Sequence, residues 1–345
     1  MISFRAVFLV FGCLIAGLAP GCQPRHESNV QPRPQDVVMH TGLSEDVSIK
    51  EAPAQMRGQN TGGIGYVRPE DKDSSPIGRP QNDEFRLKQG EEFSAYMIVL
   101  NCWNDTRTFM ISILLDYEQT RFSLDGKDAL LHKIAVPGNT EVDMPLKLSV
   151  EESGAHDLIG VLFEDPDNVT LDNSFRLDLY GHANARRTQI IVGDNQEPAG
   201  GAVPLTTGVS IPSDAKFRAR LYFASSETGD GLDVSQRQLY TDKAVAGGTY
   251  EFEMVCNNVE DRAATYAMVP FLNFRQVDVS GQDRFFAYLG PNEEAAIHQR
   301  LSLPEQPGVN QFQVVWLFDP YKSVLQHEVL APFVFGSPRI AIDTR

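Results

Sequence analysis

Two parts of this chain say the same thing in the same order, about 154 residues apart, and that limits its fold more than any other feature. Residues 96–102 read YMIVLNC and residues 250–256 read YEFEMVC. Gly154 lies 154 before Gly308, and 161–166 (VLFEDP) lies 154 before 315–320 (VWLFDP). Leu179-Tyr180-Gly181 then aligns with Val334-Phe335-Gly336 at 155. Several matches in one register mark a duplicated domain. Each repeat of about 100 to 110 residues is the size of one β-sandwich.

Within the repeats the apolar residues alternate. Residues 141–150 read EVDMPLKLSV, one face apolar and the other mostly polar, the period of a half-buried strand. Pro145 inside it points to an edge or a bulge. Strands are expected at 93–102, 108–117, 130–136, 142–150, 157–163, 175–180 and 187–192. In the second repeat they are expected at 249–256, 265–277, 284–289, 295–303, 310–318, 324–335 and 339–343, with further strands at 216–225 and 236–241. Turn residues such as Asp125-Gly126 and Gly138-Asn139 separate them, and no long helical stripe intervenes. The expected fold is all-β: tandem duplicated antiparallel β-sandwiches, immunoglobulin-like, after a disordered N-terminal tether. The boundaries are 1–22 signal segment, 23–82 flexible linker, 83–193 first sandwich, 194–213 linker and 214–345 second sandwich.

The N-terminus has a targeting pattern. Arg5 precedes an apolar run to Leu18, and Ala19-Pro20-Gly21-Cys22 follows, too soon for a membrane span of about 20 residues. Gly21-Cys22 at the end of that run resembles a bacterial membrane lipoprotein signal, although Ala19 stands where that class prefers Leu. The resemblance implies acylation of Cys22, a mature chain beginning there, and an exported protein held on a cell membrane by its lipid. It covers only these residues. Residues 23–82 are rich in Pro, Gly, Gln and acidic side chains, as in a spacer, although 37–39 (VVM) has the pattern to join a sheet edge.

The formal net charge of −16 repels phosphates and argues against a nucleic-acid partner. The partners expected are the membrane, through the lipid anchor, and another envelope protein. Cys102 and Cys256 occupy matching places in the repeat. They are read either as a disulfide, which would close a loop worth about 4–5 kcal/mol, or as two small buried residues; the second reading is favoured. Asp165, Asp167 and Asp172 form an oxygen-rich cluster, a minor candidate for calcium beside the simpler reading of an Asp-Pro turn. The seven histidines form neither HExxH nor a close cluster with cysteine. No catalytic residues and no cofactor are assigned. The chain reads as a non-enzymatic binding or structural module on the cell envelope. The alternative is an extracytoplasmic, hydrolase-like enzyme with its site in the sandwich loops or at the domain junction.

Overall fold

The computed structural model describes residues 36–72, 84–176, 182–195, 197–198, 205, 209–211, 221–226, 238–322 and 333–345. The first sandwich contains β1 (Val37–His40), β2 (Ser48–Glu51), β3 (Gly62–Val67), β4 (Glu84–Leu87), β5 (Phe93–Asn101), β6 (Arg107–Leu115), β7 (Glu118–Thr120), β8 (Phe122–Leu124), β9 (Lys127–Ala129), β10 (Leu131–Val136), β11 (Thr140–Leu148), β12 (Gly154–Glu164), a one-turn helix α1 (Asn173–Arg176) and β13 (Ala183–Val192). The second contains β14 (Val209–Ile211), β15 (Leu221–Ser225), β16 (Thr241–Ala244), β17 (Thr249–Asn257), β18 (Ala264–Leu272), β19 (Arg275–Gln276), β20 (Phe285–Leu289), β21 (Glu294–Ser302), β22 (Gly308–Phe318), β23 (Phe333–Gly336) and β24 (Ile340–Thr344).

The two sandwiches have the same plan. In the first, β5 and β11 pair in one sheet, and β6, β12 and β13 lie side by side in the other. In the second, β17 pairs β21, opposite β18, β22 and β24. This is the B–E and C–F–G arrangement of an immunoglobulin-like sandwich. In both, an early strand returns parallel to the last one, β4 on β13 and β16 on β24. Period-two alternation fills each interior. Phe93, Ala95, Met97 and Val99 from β5 meet Val142, Met144, Leu146 and Leu148 from β11 in the first core. Tyr250, Phe252, Met254 and Cys256 line the second. Two-residue turns reverse the chain at matching places. Asp116 and Tyr117 (φ 50° and 70°) join β6 to β7, and Asn273 and Phe274 (φ 50° and 68°) join β18 to β19. Positive φ at both central residues is the type I′ geometry that matches strand twist.

The duplication holds, but its period is not uniform. The two inward rows of β5 and β17 and the ladder pairs Phe93↔Leu148 and Tyr250↔Leu301 give an offset of 157 at β5 and 153 at β11. Only β12 and β22 keep 154, with Gly154 opposite Val192 and Gly308 opposite Thr344. The aligned heptapeptides are therefore out of register by three. An odd slip exchanges the two faces of a strand, so Tyr250 points into its core whereas Tyr96 lies on the outer side. The counterpart of Cys256 is Val99, not Cys102. Leu179-Tyr180-Gly181 lies outside the described residues. The ladders instead make 183–185 the equivalents of 334–336.

One sheet runs through both halves. β13 pairs antiparallel with β23 through Asn184↔Phe335, Ala185↔Val334 and Arg186↔Phe333. Asn184 lies opposite Leu162, and Phe335 lies opposite Trp316, the residue 154 beyond Leu162. Asn184 and Phe335 are therefore equivalent residues that pair with each other, which puts a pseudo-two-fold axis through that pair. The sheet folds over so that its halves face across a third core. Ile159, Val161, Phe163, Met110 and Leu114 meet Ala267, Val269, Phe271, Phe274 and Phe286 there. Phe163 lies edge-on to Phe271 with centroids 5.3 Å apart.

Several expectations are corrected. The flexible linker assigned to 23–82 does not hold over 36–72, where β1 pairs β10, β2 pairs β11 and β3 pairs β5. These strands are short, four to six residues each, and gain their order from ladder hydrogen bonds to distant segments. Within the linker expected at 194–213, β14 pairs β21. Residues 173–176 are helical rather than the start of a strand, with Asp172 Oδ1 accepting from the Ser174 amide at 2.9 Å. Pro145 lies in a central strand, in the gap between the stretches of β11 that pair with β2 and with β8. The signal segment 1–22 is outside the described residues, and among those described no helix is long and apolar enough to cross a membrane.

Candidate functional site

The densest buried polar constellation lies where the two sandwiches meet, and alternation puts it there. On β12 the row Asp157, Ile159, Val161, Phe163 faces the other half, as does the row Ala183, Ala185, Arg187 on β13. Asp157 and Arg187 thus prolong two apolar rows with charge, and both side chains are wholly buried, with Arg187 Nη1 3.5 Å from Asp157 Oδ2. The same carboxylate oxygen accepts a short hydrogen bond from the Tyr117 hydroxyl, delivered by the type I′ turn. It also accepts the Tyr321 amide at 2.8 Å. Arg187 Nη1 donates to the Asp319 carbonyl at 2.8 Å. Tyr321 and Asp319 belong to the second half, so the network crosses the junction.

A second layer lies outside this pair. Asp116 Oδ1 accepts the Asp157 amide at 3.0 Å, Asp116 Oδ2 accepts His156 Nδ1 at 2.6 Å, and the Asp116 carbonyl accepts Arg284 Nη1 at 2.9 Å. His156 Nε2 donates to the Glu152 carbonyl at 3.0 Å. A carbonyl has no proton to give and a carboxylate accepts one, so both ring nitrogens face acceptors, the arrangement that favours the imidazolium. Burial works against that charge, but the hydrogen bond and negative charge of Asp116 outweigh it and raise the pKa above the usual histidine value. Burial, then the neighbouring Asp157, lifts the Tyr117 hydroxyl well above the ordinary tyrosine range.

A general base needs a lone pair that substrate can reach. Both ring nitrogens of His156 are engaged by Asp116 and the Glu152 carbonyl. In Asp157 the one oxygen without a partner, Oδ1, is sealed inside the protein, as are Nε and Nη2 of Arg187. Chemically the network holds two opposite charges out of water and ties one sandwich to the other. Gln119 and Gln276 add a reciprocal clasp, each side-chain Oε1 accepting the other's backbone N–H at 2.5 and 2.9 Å. At the far side of the junction the buried Arg176 donates to the carbonyls of Thr170, Asn168 and Arg339 and to Gln311 Oε1.

The residues singled out in the sequence do not gather here. Asp165 binds Arg107 Nη1 at 2.7 Å, Asp167 binds Lys133 Nζ at 2.6 Å, and Asp172 caps α1. The three carboxylates are thus spent on separate partners, and among the described residues no group of three or more His, Cys, Asp or Glu converges as metal ligands. What both repeats keep is the turn: Asp165 and Asp319, both at positive φ, donate their amides to Thr108 and Thr265. Cys102 and Cys256 are free thiols rather than a disulfide. Cys102 packs with Ala52 and Leu100 beyond the end of β5, whereas Cys256 lies in the second core against Met268. Burial pushes their thiols up to about 11 and about 12. Cys22 lies outside the described residues.

Sequence reading missed two features. Asn101 and Asn258 are a matched pair of buried amides. Asn101 Nδ2 approaches the carbonyls of Asp105, Val136 and Pro137, and Asn258 Nδ2 those of Arg262, Leu289 and Gly290, all within 3.2 Å. The junction network was signalled only by two charges standing at inward-facing positions of apolar strands.

No protein-family model matches the chain, and no curated protein matches it. Among solved structures, WR4, a C. elegans MSP family member, is 12% identical with a TM-score of 0.21, covering 30% of this chain and 92% of its own. Red sea bream transglutaminase is 10% identical with a TM-score of 0.20, covering 75% of this chain and 30% of its own. Neither likeness bears on function.

Proposed function

We propose that this protein is a non-enzymatic binding module of the cell envelope, held on the membrane by acylated Cys22, which presents two fused sandwiches to a protein partner as one rigid body. The observation that supports this reading is a difference, among the described residues, between two equivalent sheet edges. In the first sandwich β10 is flanked on its outer side by β1, in the parallel register Val37↔Leu131 to His40↔Ile134. In the second sandwich the equivalent strand β20 has, among the described residues, a ladder partner only on the β18 side, and Tyr288 beside that edge is 59% exposed. An open strand edge accepts an extended segment of another protein through its main chain. The junction supports the same reading, because a third core, a shared sheet and a buried charge network keep both edges in fixed relation.

The test has two parts. Replacing Cys22 with Ser moves the protein from the membrane to the soluble fraction of native cells if the anchor is real; retention on the membrane refutes it. The wild-type protein is expected to retain an envelope protein that Tyr288→Lys, which places a charge beside the edge, loses at least tenfold. Equal retention by the variant refutes the edge as the binding surface.

A further inference from the structure

Strand β1 is fastened to the body by two histidines in direct contact. His40 on β1 and His132 on β10 are both buried, with His40 Nε2 2.9 Å from His132 Nδ1. His132 Nε2 lies 3.1 Å from the Phe122 carbonyl, which only accepts, so Nε2 carries the proton of the neutral His132 ring. Its Nδ1 is then the acceptor, and His40 Nε2 is the donor. That leaves His40 Nδ1 a bare lone pair with no partner, 3.9 Å from Asp125 Oδ2. Asp125 is already engaged by the backbone and hydroxyl of Ser44. The neutral pair therefore has one consistent arrangement of protons. A proton added to His132 Nδ1 would face the N–H of His40 directly, and two charged rings would stand in contact within the protein.

We propose that the His40–His132 contact is an acid-sensitive latch: it holds β1, the first described strand, against the body near neutral pH, and releases it when the rings take up protons.

The charges around the pair set the direction. For His40, burial comes first and Lys127 adds to it, both against protonation, while Asp125 favours it. For His132, burial dominates and His40 adds to it, against the Phe122 and Ala129 carbonyls and Asp128; the net is a pKa lowered to about 4. Beyond the rings, Asp36 at the start of β1 pairs with Arg275 at 3.1 Å and lies 3.9 Å from Arg121, and Lys133 on β10 pairs with Asp167. With pKa values lowered by docking, the released strand binds more protons than the docked one. Docking is therefore strongest above about pH 6.5, the ordinary histidine value, and weakens as pH falls toward about 4. Release would uncover the β10 edge. The second sandwich lacks the latch, since Phe285 takes the place of His132, opposite Met268 as His132 is opposite Ile111.

Amide hydrogen exchange of the full chain between pH 8 and 4, corrected for the intrinsic pH dependence, tests this. Protection at 37–40 is expected to fall about tenfold per pH unit for each proton taken up below pH 6.5, while β5, β11 and β12 keep theirs. The double variant His40→Leu, His132→Phe, which borrows the second sandwich's own residue, is expected to lose that dependence. Nitrogen-15 shifts of the wild-type rings should show both neutral at pH 7 with the proton on Nε2, which tests the latch even if the variant fails to fold. Protection at 37–40 that is flat with pH, an unchanged dependence in the double variant, or a charged pair at pH 7 would overturn the proposal.

Discussion

Replacing Arg187 with Met removes the cation from a wholly buried pair and keeps most of the aliphatic volume. Asp157 is left as a charge out of water, supported by the Tyr117 hydroxyl and the Tyr321 amide, and the bond from Arg187 Nη1 to the Asp319 carbonyl is removed. Breaking one side of a buried ion pair costs about 3–5 kcal/mol. Exchanging Asp157 for Asn as well keeps an oxygen for Tyr117 and Tyr321 but removes the stranded charge. The double variant should therefore be more stable than Arg187→Met alone, and the full double-mutant cycle should give a coupling of about 0.5–3 kcal/mol. Urea unfolding at pH 7 reads this directly, because each sandwich holds one tryptophan, Trp103 in the first and Trp316 in the second. In Trp316→Phe and Trp103→Phe backgrounds the remaining fluorophore reports its own half. The two midpoints should coincide in the otherwise wild-type protein and both move in Arg187→Met. A loss below about 1 kcal/mol, or a double variant less stable than the single, would refute the view that this pair holds the halves together.

Two further outcomes follow from the pKa directions. Cys102 and Cys256, with thiols raised to about 11 and about 12, should resist alkylation at pH 8 in native protein and react at ordinary rates in urea; rapid labelling of the native form would contradict their burial. His156, whose folded pKa is raised by Asp116, stabilises the fold fully below its unfolded value near 6.5, and that contribution disappears as pH rises through the folded value. The difference in urea midpoint between wild type and His156→Gln should thus shrink from pH 6 to pH 9, and a constant difference would exclude the imidazolium.

The strands were legible because one-sided burial writes itself into the sequence with period two, as in 141–150. Register was not, because it depends on loop length. The second repeat is four residues shorter between β18 and β20 than the first between β6 and β10, and this moves the offset from 157 to 153. An alignment anchored on VLFEDP and VWLFDP carried the correct 154 of β12 into β5, where it is wrong by three. That error made Cys102 and Cys256 look like partners. Strands β1 to β3 were hidden for another reason. Short segments set among Gly, Pro and polar residues look like spacer until their ladder partners, about 30 to 95 residues away, are known. The junction was the least legible part, since Tyr117, Asp157, Arg187 and Tyr321 come from four separate stretches of chain. Its only trace was one charge at one end of each of two apolar rows.

A contact in which Gln119 grips Gln276 while Gln276 grips Gln119, about an axis through Asn184 and Phe335, has the symmetry of an isologous dimer with its two subunits joined covalently. Either half made alone would carry a complete copy of a self-complementary patch, with Ile159, Val161 and Phe163, or Val269 and Phe271, turned to water. Such a fragment would be expected to find a second copy of itself rather than persist as a monomer. Joining the subunits makes that encounter intramolecular and independent of concentration. It also frees the two copies from having to remain identical, and a histidine pair at 40 and 132 in one half, where the other carries Phe285 in place of His132, is what that freedom permits.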